Sequence, residues 1–213
     1  MKKEKRLILA LDVTSRARAL ALSELLKYHF DAIKVGYPLI LSAGLEVVKE
    51  ISAHAPVIAD LKIADIPNTN RLICDAVIKA GAKGIIAHAF PGKDALLACA
   101  ESAAEQEAEL YAVTEMSHPG ALEFMAPLAE DLARLAVGVN AAGVVAPATR
   151  PERIRLIRSI IGSRTIISPG VGVQGGSAMQ ALEAGADYLI VGRSIVEAED
   201  PVAAAEAILA QIS

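Results

Sequence analysis

The chain has 213 residues, of which 54% are hydrophobic and 22% are charged, and its formal net charge is −4. This composition predicts a globular protein with one large core and excludes a disordered chain. The acidic balance and the aromatic content of only 3% argue against a nucleic acid or an anionic membrane as a partner.

The N-terminus is where a targeting segment would lie. Basic residues precede the apolar run Leu7–Leu11, but Asp12 ends this run after five residues. A signal peptide needs an apolar stretch of roughly 7–15 residues, so we interpret residues 1–6 as a solvated tail before a first strand. No apolar run approaches the roughly 18 residues of a membrane span. Cys74 and Cys99 have no metal-ligand spacing, so we expect two buried or half-buried thiols in a cytoplasmic protein.

Eight short β-prone runs recur along the chain, and each is followed by a segment of helical character. Their starts are spaced by roughly 22 to 34 residues, the size of one βα unit. The runs are almost continuously apolar, as is typical of parallel strands covered by helices. This alternation predicts a single (β/α)8 barrel domain over residues 1–213, with a doubly wound open sheet as the alternative. The predicted strands are Leu7–Leu11, Ala32–Val35, Val57–Leu61, Gly84–Ala87, Glu109–Val113, Gly143–Val145, Thr165–Ile167 and Tyr188–Val191.

Proline and glycine mark most of the predicted helix ends, because proline favours the first turn and glycine the position after the last. Thr14 and Ser15 are the expected cap of the first helix. Ser117 and Pro119 fit the cap and first turn of the fifth helix. The helices after the first are predicted over residues 38–51, 67–80, 94–106, 119–137, 151–161 and 178–184, and from 201 onward.

Charged residues collect at the predicted C-terminal ends of the strands, where barrels hold their active sites. Asp12 follows the first strand and Lys34 lies in the second. Asp60 and Lys62 share one face of the third strand, because alternate residues of a strand point the same way. Asp65 follows where the next helix begins. Buried ion pairs are rarely more stable than apolar residues of similar volume, so we favour function over a structural salt bridge.

Three further polar residues are ambiguous on spacing alone. His88, at the end of the fourth strand, is more simply explained as a core residue, and we leave it out of the site. Ser117 and His118 could contact a ligand, but they also fit an ordinary helix start.

The turn Pro169–Gly176 after the seventh strand is rich in glycine, and Gly192 and Arg193 follow the eighth strand. Glycine-rich turns can present backbone N–H groups to an anion, and barrels frequently bind phosphate at this place. The guanidinium of Arg193 adds a bidentate donor. The turn also satisfies the dinucleotide pattern G-x-G-x-x-G, but the acidic ribose ligand is missing after the next strand. We therefore predict a phosphate site, with a merely flexible turn as the alternative.

Together these motifs resemble the orotidine 5′-monophosphate decarboxylase family in its short, archaeal-like form, over nearly the whole chain. The most specific element is D-x-K-x-x-D-I-P-x-T, which runs from Asp60 to Thr69. Related magnesium-dependent barrels acting on sugar phosphates share D-x-K-x-x-D but lack the Ile-Pro-x-Thr that follows. The other matching segments are Leu9–Asp12, Lys34–Gly36, Glu115–Gly120, Pro169–Gly175 and Gly185–Arg193.

The resemblance implies conversion of orotidine 5′-monophosphate to UMP without a metal or another cofactor. Lys62 would protonate C6 of the pyrimidine, and Asp60 would lie beside the substrate carboxylate. Lys34 and Asp12 would bind ribose hydroxyls and join the charged row. Ser117 would bond to the pyrimidine edge.

The resemblance also implies a phosphate subsite and a homodimer with shared active sites. The expected substrate contacts around the phosphate are Pro169, Gly170, Gln174, Gly192 and Arg193. Asp65, Ile66 and Thr69 would reach into the site of the partner subunit. Two alternatives stay open: a magnesium-dependent decarboxylase or aldolase acting on a sugar phosphate, and a nucleotide-binding barrel without activity.

Overall fold

The computed structural model of the protein describes residues 3–212. Within them, eight parallel strands pair in sequence order and close into a barrel, with β8 beside β1. The predicted (β/α)8 architecture is therefore confirmed, and the open sheet is excluded. The strands are Leu7–Ala10 (β1), Ala32–Gly36 (β2), Val57–Ile63 (β3), Ala82–His88 (β4), Glu109–Val113 (β5), Gly143–Val145 (β6), Thr165–Pro169 (β7) and Tyr188–Val191 (β8).

The helices surround the barrel and mostly begin and end where proline and glycine predicted. Ser15 caps the first helix, because its hydroxyl accepts a hydrogen bond from the Arg18 N–H. The helices are Arg16–Leu26 (α1), Tyr37–Ala43 (α2), Glu46–Ser52 (α3), Pro67–Lys79 (α4), Lys93–Glu105 (α5), Ala121–Phe124 (α6), Ala129–Gly138 (α7), Pro151–Ile161 (α8), Ala178–Glu183 (α9), Arg193–Val196 (α10) and Pro201–Ile212 (α11).

Two helix predictions were wrong in detail, and one short helix was not predicted. The expected helix over 38–51 is split into α2 and α3, because Gly44 takes a positive φ of 81° and ends the first part. The expected helix over 119–137 is broken into α6, a 3-10 turn at Ala126–Leu128 and α7. The short helix α10 was not predicted, since four residues carry no periodic signal.

Two apolar layers position the site. Large aliphatic side chains pack between the barrel and its helices. A second cluster fills the barrel interior, and Tyr111 is its largest buried member. Because the interior is packed, the barrel is closed below its C-terminal rim. Ala10, Ile86, Val113, Val145 and Ile190 form the apolar floor of the cavity at that rim.

The N-terminal segment is exposed but attached to the barrel. The Asp31 carboxylate accepts hydrogen bonds from the backbone N–H groups of residues 4–6 at 2.8–3.2 Å, and Lys3 pairs with Asp187 at 2.6 Å. Residues 1 and 2 of the predicted tail, and residue 213 of the predicted domain, lie outside the described residues. None of the helices between residues 3 and 212 combines the length and apolar character that crossing a membrane requires.

Candidate active site

A cavity of about 790 Å³ opens at the C-terminal rim of the barrel. Polar side chains from nearly every strand end line its walls above the apolar floor. Of the residues predicted for the site, those that line this one cavity are Asp12, Lys34, Asp60, Lys62, Ser117, Pro169, Gly170, Gln174, Gly192 and Arg193.

The charged row, defined as Asp12, Lys34, Asp60 and Lys62, follows from strand register. β1 pairs with β2 at Ala10↔Lys34, and β2 pairs with β3 at Gly36↔Asp60. Lys34 Nζ consequently lies between two carboxylates, 3.4 Å from Asp12 Oδ1 and 2.9 Å from Asp60 Oδ2. Lys62 Nζ lies 2.9 Å from both Asp60 oxygens. Charges therefore alternate in sign from the first strand to the third.

The buried members of the row stabilise each other's charged forms. Burial alone would raise the pKa of Asp60, but the ammonium groups of Lys34 and Lys62 outweigh it and hold that pKa below its ordinary value. Burial alone would lower the pKa of Lys34, but Asp60 and Asp12 outweigh it and raise that pKa. Both groups are therefore charged at neutral pH.

The backbone at Lys62 is strained. Lys62 has a φ of 42°, in the left-handed region that a lysine seldom adopts. The pairing of β3 with β4 shifts between Ala59 and Ile63, so Lys62 sits in a bulge of the strand. Such strain costs about 1–3 kcal/mol and is common where a side chain must be aimed at a ligand.

The glycine-rich turn after β7 approaches Ser117 closely at the wall of the cavity. Gly170 has a φ of 101°, and a Cβ placed on it would lie 3.2 Å from the Ser117 Cβ. Gln174 is also close, because its Oε1 would be 3.4 Å from that same Cβ. Glycine at 170 thus lets the turn approach the strand 5 side of the cavity.

The sequence suggested that the backbone amides of this turn are free to bind an anion. Several of them are not free. The N–H groups of Gly172, Gly175 and Gly176 donate to carbonyls within the turn at 2.7–3.2 Å. Arg193, by contrast, has no salt-bridge partner among residues 3–212 and lines the cavity. An anion here would therefore depend more on Arg193 than on the amides of these three glycines.

Ser117 does not cap a helix, so that interpretation was wrong. The next helix begins at Ala121 with Gly120 at its N-cap. The Ser117 carbonyl accepts hydrogen bonds from Thr149 Oγ1 at 3.2 Å and Arg150 Nη1 at 3.5 Å. These contacts hold Ser117 at the cavity wall, where its neighbour His118 also lies.

Asp65, Ile66 and Thr69 are not brought together with the charged row. Asp65 and Ile66 are exposed and line a separate depression with Pro91 and Asp94. Thr69 is half-buried on the first turns of α4. Within one chain, therefore, these three residues do not line the cavity that holds Lys62.

His88 and Ser194 each have a buried polar side-chain atom, and of the two Ser194 lines the cavity. Burial, and then Lys62, lower the pKa of His88, so the imidazole is neutral at pH 7. Its Nδ1 is buried and has no hydrogen-bond partner among the described residues. The buried Ser194 hydroxyl also lacks one within that range, yet Ser194 lines the cavity. Ser194 was not predicted for the site, although its position directly after Gly192-Arg193 could have indicated it.

A family model described as the orotidine 5'-phosphate decarboxylase / HUMPS family matches residues 5–208. The chain belongs to this family. The orotidine 5'-phosphate decarboxylase of Methanococcoides burtonii is 58% identical over 209 residues, which are 98% of this chain and 97% of that protein. The orotidine 5'-phosphate decarboxylase of Pyrococcus furiosus is 47% identical, with 97% of each chain covered.

Solved structures of the family share the fold. The crystal structure of orotidine 5'-monophosphate decarboxylase from Methanocaldococcus jannaschii complexed with the inhibitor BMP has a TM-score of 0.93 and 44% identity, and covers 97% of this chain and 98% of that chain. The enzyme from Pyrococcus horikoshii has a TM-score of 0.88 and 45% identity, with 97% and 98% covered. The resemblance inferred from the motifs is thus confirmed.

Proposed function

We propose that this protein converts orotidine 5′-monophosphate to UMP and CO2 with its own side chains, without a metal or another cofactor. One observation carries the proposal: the charged row faces a single cavity in a chain of this decarboxylase family. The row supplies charges of both signs next to an apolar floor, and Arg193 lies in the same cavity.

Loss of CO2 from C6 of the pyrimidine leaves an electron pair on that carbon, with no π system to receive it. Lys62 is the group that would stabilise and then protonate this carbanion, because its side chain is 36% exposed and Asp60 is its only acceptor within residues 3–212. Lysine carries three donors, so a donor remains for the substrate. Positioned charge of this kind is commonly the largest catalytic contribution of an enzyme.

Asp60 would repel the departing carboxylate while it holds Lys62. At a separation of about 4 Å and an effective dielectric near 20, two like charges repel by roughly 4 kcal/mol. Enzymes supply roughly 8–23 kcal/mol in total. Repulsion alone therefore cannot account for the rate enhancement, so stabilisation of the carbanion by the Lys62 cation must contribute as well.

Binding of the phosphate would supply much of the rest. Arg193 would hold the phosphate dianion, with Gln174, Gly192 and the turn from Pro169 and Gly170 around it. Lys34 and Asp12 would bind the ribose, and Ser117 would bond to the pyrimidine edge. Interactions remote from the reacting carbon can drive closure of the site and exclude water from it.

We also propose a homodimer in which Asp65, Ile66 and Thr69 complete the site of the partner subunit. Ile66 is 65% exposed and Phe90 is 58% exposed, so both offer apolar surface that a partner subunit could cover. Asp65 lies beside Ile66 but outside its own chain's cavity. A partner subunit that covers Ile66 would explain the exposure of Ile66 and the position of Asp65 outside its own chain's cavity.

A cytoplasmic location agrees with the two cysteines. Cys74 and Cys99 are buried and free, as is usual in a reducing compartment. Cell fractionation followed by immunodetection tests this part of the proposal.

The reaction is tested by following the loss of orotidine 5′-monophosphate absorbance in buffer that contains EDTA. The proposal expects undiminished turnover and UMP as the product. Activity that disappears with EDTA and returns with Mg²⁺, or activity on a sugar phosphate alone, would favour the magnesium-dependent alternative. Tight UMP binding without turnover would identify a nucleotide-binding barrel without activity.

A further inference from the structure

Asn70 is a buried polar residue outside the cavity, and both ends of its side-chain amide are hydrogen-bonded. It lies on the first turns of α4 and is 1% exposed. Its Oδ1 accepts a hydrogen bond from the Asp65 N–H at 2.9 Å. Its Nδ2 donates to the Ala95 carbonyl on α5, also at 2.9 Å. The amide therefore links the backbone of Asp65 to the neighbouring helix.

The segment that Asn70 holds has little other support. Ala64, Asp65 and Ile66 are all exposed. The only side-chain hydrogen bond of Asp65 within the described part of the chain is local, from the Ile66 N–H to Oδ1 at 2.7 Å. An exposed segment with few contacts samples several conformations unless something fixes its backbone. Asn70 is the buried group that fixes it here.

A buried amide is also costly unless both of its ends are bonded. An apolar residue would suffice if this position only packed α4 against α5. The amide oxygen of Asn70 instead accepts a hydrogen bond from Asp65, the residue that the proposed shared site requires.

We propose that Asn70 is a positioning residue: it holds Asp65 where its carboxylate can serve the active site of the partner subunit. This inference rests on the shared site of the proposed function. It extends that proposal to a residue that touches neither the substrate nor the charged row. Its distinctive consequence is that a lesion at Asn70 damages the partner's site and leaves the site of its own barrel intact.

Asn70→Ala is the first test. A misplacement of about 1 Å can lower a rate by about 100-fold, so we expect kcat to fall about 10- to 100-fold. In a chain that already carries Asp65→Ala, Asn70→Ala should lower kcat by less than twofold, because the group it positions is gone.

Reassortment of subunits tests the direction of the effect. Equal amounts of Asn70→Ala and Lys62→Ala chains are unfolded and refolded together, so that about half the dimers are mixed. In a mixed dimer, one site has an intact Lys62 and a well-placed Asp65, while the other has both lesions. About a quarter of the wild-type sites should return. A mixture of Asn70→Ala with Asp65→Ala should give no such recovery, because both lesions affect the same contributed segment.

Ser102→Ala is the matched control. Ser102 is buried on α5 and donates to Asp75 on α4 at 2.7 Å, so this variant also removes a hydrogen bond between the same two helices. It should lower the melting temperature to a similar extent and leave kcat within twofold of wild type. If Asn70→Ala does not fold, Asn70→Leu replaces it, because leucine fills a similar volume between α4 and α5 and also removes the acceptor for the Asp65 N–H.

The outcomes separate this inference from the shared site itself. Suppose that activity returns when Asn70→Ala is refolded with Lys62→Ala, but not when it is refolded with Asp65→Ala. This result supports the positioning role of Asn70. If Asp65→Ala restores activity with Lys62→Ala and the Asn70 variant does not, the shared site stands and the role of Asn70 is wrong. A kcat within twofold of wild type would also overturn it. If neither variant complements Lys62→Ala in dimers verified by native mass spectrometry as mixed, both proposals fail.

Discussion

Two clusters at the barrel rim each place two cations on one buried carboxylate. In the charged row, Asp60 is shared by Lys34 and Lys62. On the other side of the rim, Glu115 is shared by Arg150 at 2.6 Å and Arg153 at 2.8 Å. The two carboxylates are similarly inaccessible, with 6% and 0% of their side chains exposed.

The two clusters differ in the acceptors of those N–H donors of their cations that are not bonded to the shared carboxylate. Arg150 also donates to the Met116 and Ser117 carbonyls, and Arg153 donates to the Ala126 carbonyl. The Glu115 cluster thus ties together backbone segments of the rim. Lys62 has no such additional acceptor within residues 3–212. We infer that donors left unsatisfied toward a cavity, rather than buried charge as such, distinguish the proposed catalytic cluster from the structural one.

Glu115→Gln should give the largest change in stability. It leaves two mostly buried guanidinium groups without a carboxylate, and breaking such a cluster costs about 3–5 kcal/mol. We expect the lower end, about 3 kcal/mol, because Arg153 is 23% exposed. For a chain of this size, that lowers the melting temperature by about 6–12 °C. Calorimetry measures it, and an unchanged melting temperature would contradict a structural role.

Arg193→Ala should have the next largest effect, on substrate capture rather than on stability. The guanidinium has no salt-bridge partner among residues 3–212, so folding should lose little. Removing it should lower kcat/KM by about 100-fold and kcat much less, as loss of binding shared by ground and transition states does. With a substrate that lacks the phosphate, wild type and variant should differ little. An unchanged kcat/KM for the phosphorylated substrate would remove Arg193 from the site.

The smallest expected effect is the pH dependence of the charged row. The folded-state pKa of Asp60 is lowered from 3.8, so its stabilising contribution is present above pH 3.8 and is lost as the pH falls below it. The raised pKa of Lys34 acts oppositely, and its contribution is lost only above pH 10.5. The difference in unfolding free energy between wild type and Asp60→Asn should thus be constant from about pH 5 to 9. Denaturant titrations that find the same difference at pH 3 would contradict this assignment.

The sequence predicted what depends on local periodicity and on strand ends. The eight strands and the charged row follow from apolar runs and from charges at i and i+2. The role of Ser117 as a helix cap was wrong, because contacts from Thr149 and Arg150, more than 30 residues away, hold that segment. The break at Gly44 and the four-residue helix α10 were missed because each is much shorter than the window of roughly 11–18 residues over which helical periodicity is recognised.

The place of Asp65 relative to the cavity cannot be read from local sequence patterns. Its motif gives the residue and its spacing from Lys62, but one chain places it outside the cavity. In the proposed homodimer, the second chain would bring this carboxylate to the charged row. The role of Asn70 was not predicted. Its amide can link Asp65 to Ala95 only when α4 packs against α5.

The most direct test of the central claim is a single-turnover measurement on Lys62→Ala, with enzyme in excess over orotidine 5′-monophosphate. This variant keeps the Lys34–Asp60 pair, so it should fold and bind UMP with a Kd within about tenfold of wild type. The free Lys62 donor should contribute at least about 100-fold to the rate of CO2 release. We therefore expect substrate to be bound and CO2 release to be slowed by that factor or more. Release within tenfold of the wild-type rate would contradict the assignment of Lys62 as the group that stabilises the carbanion before protonating it.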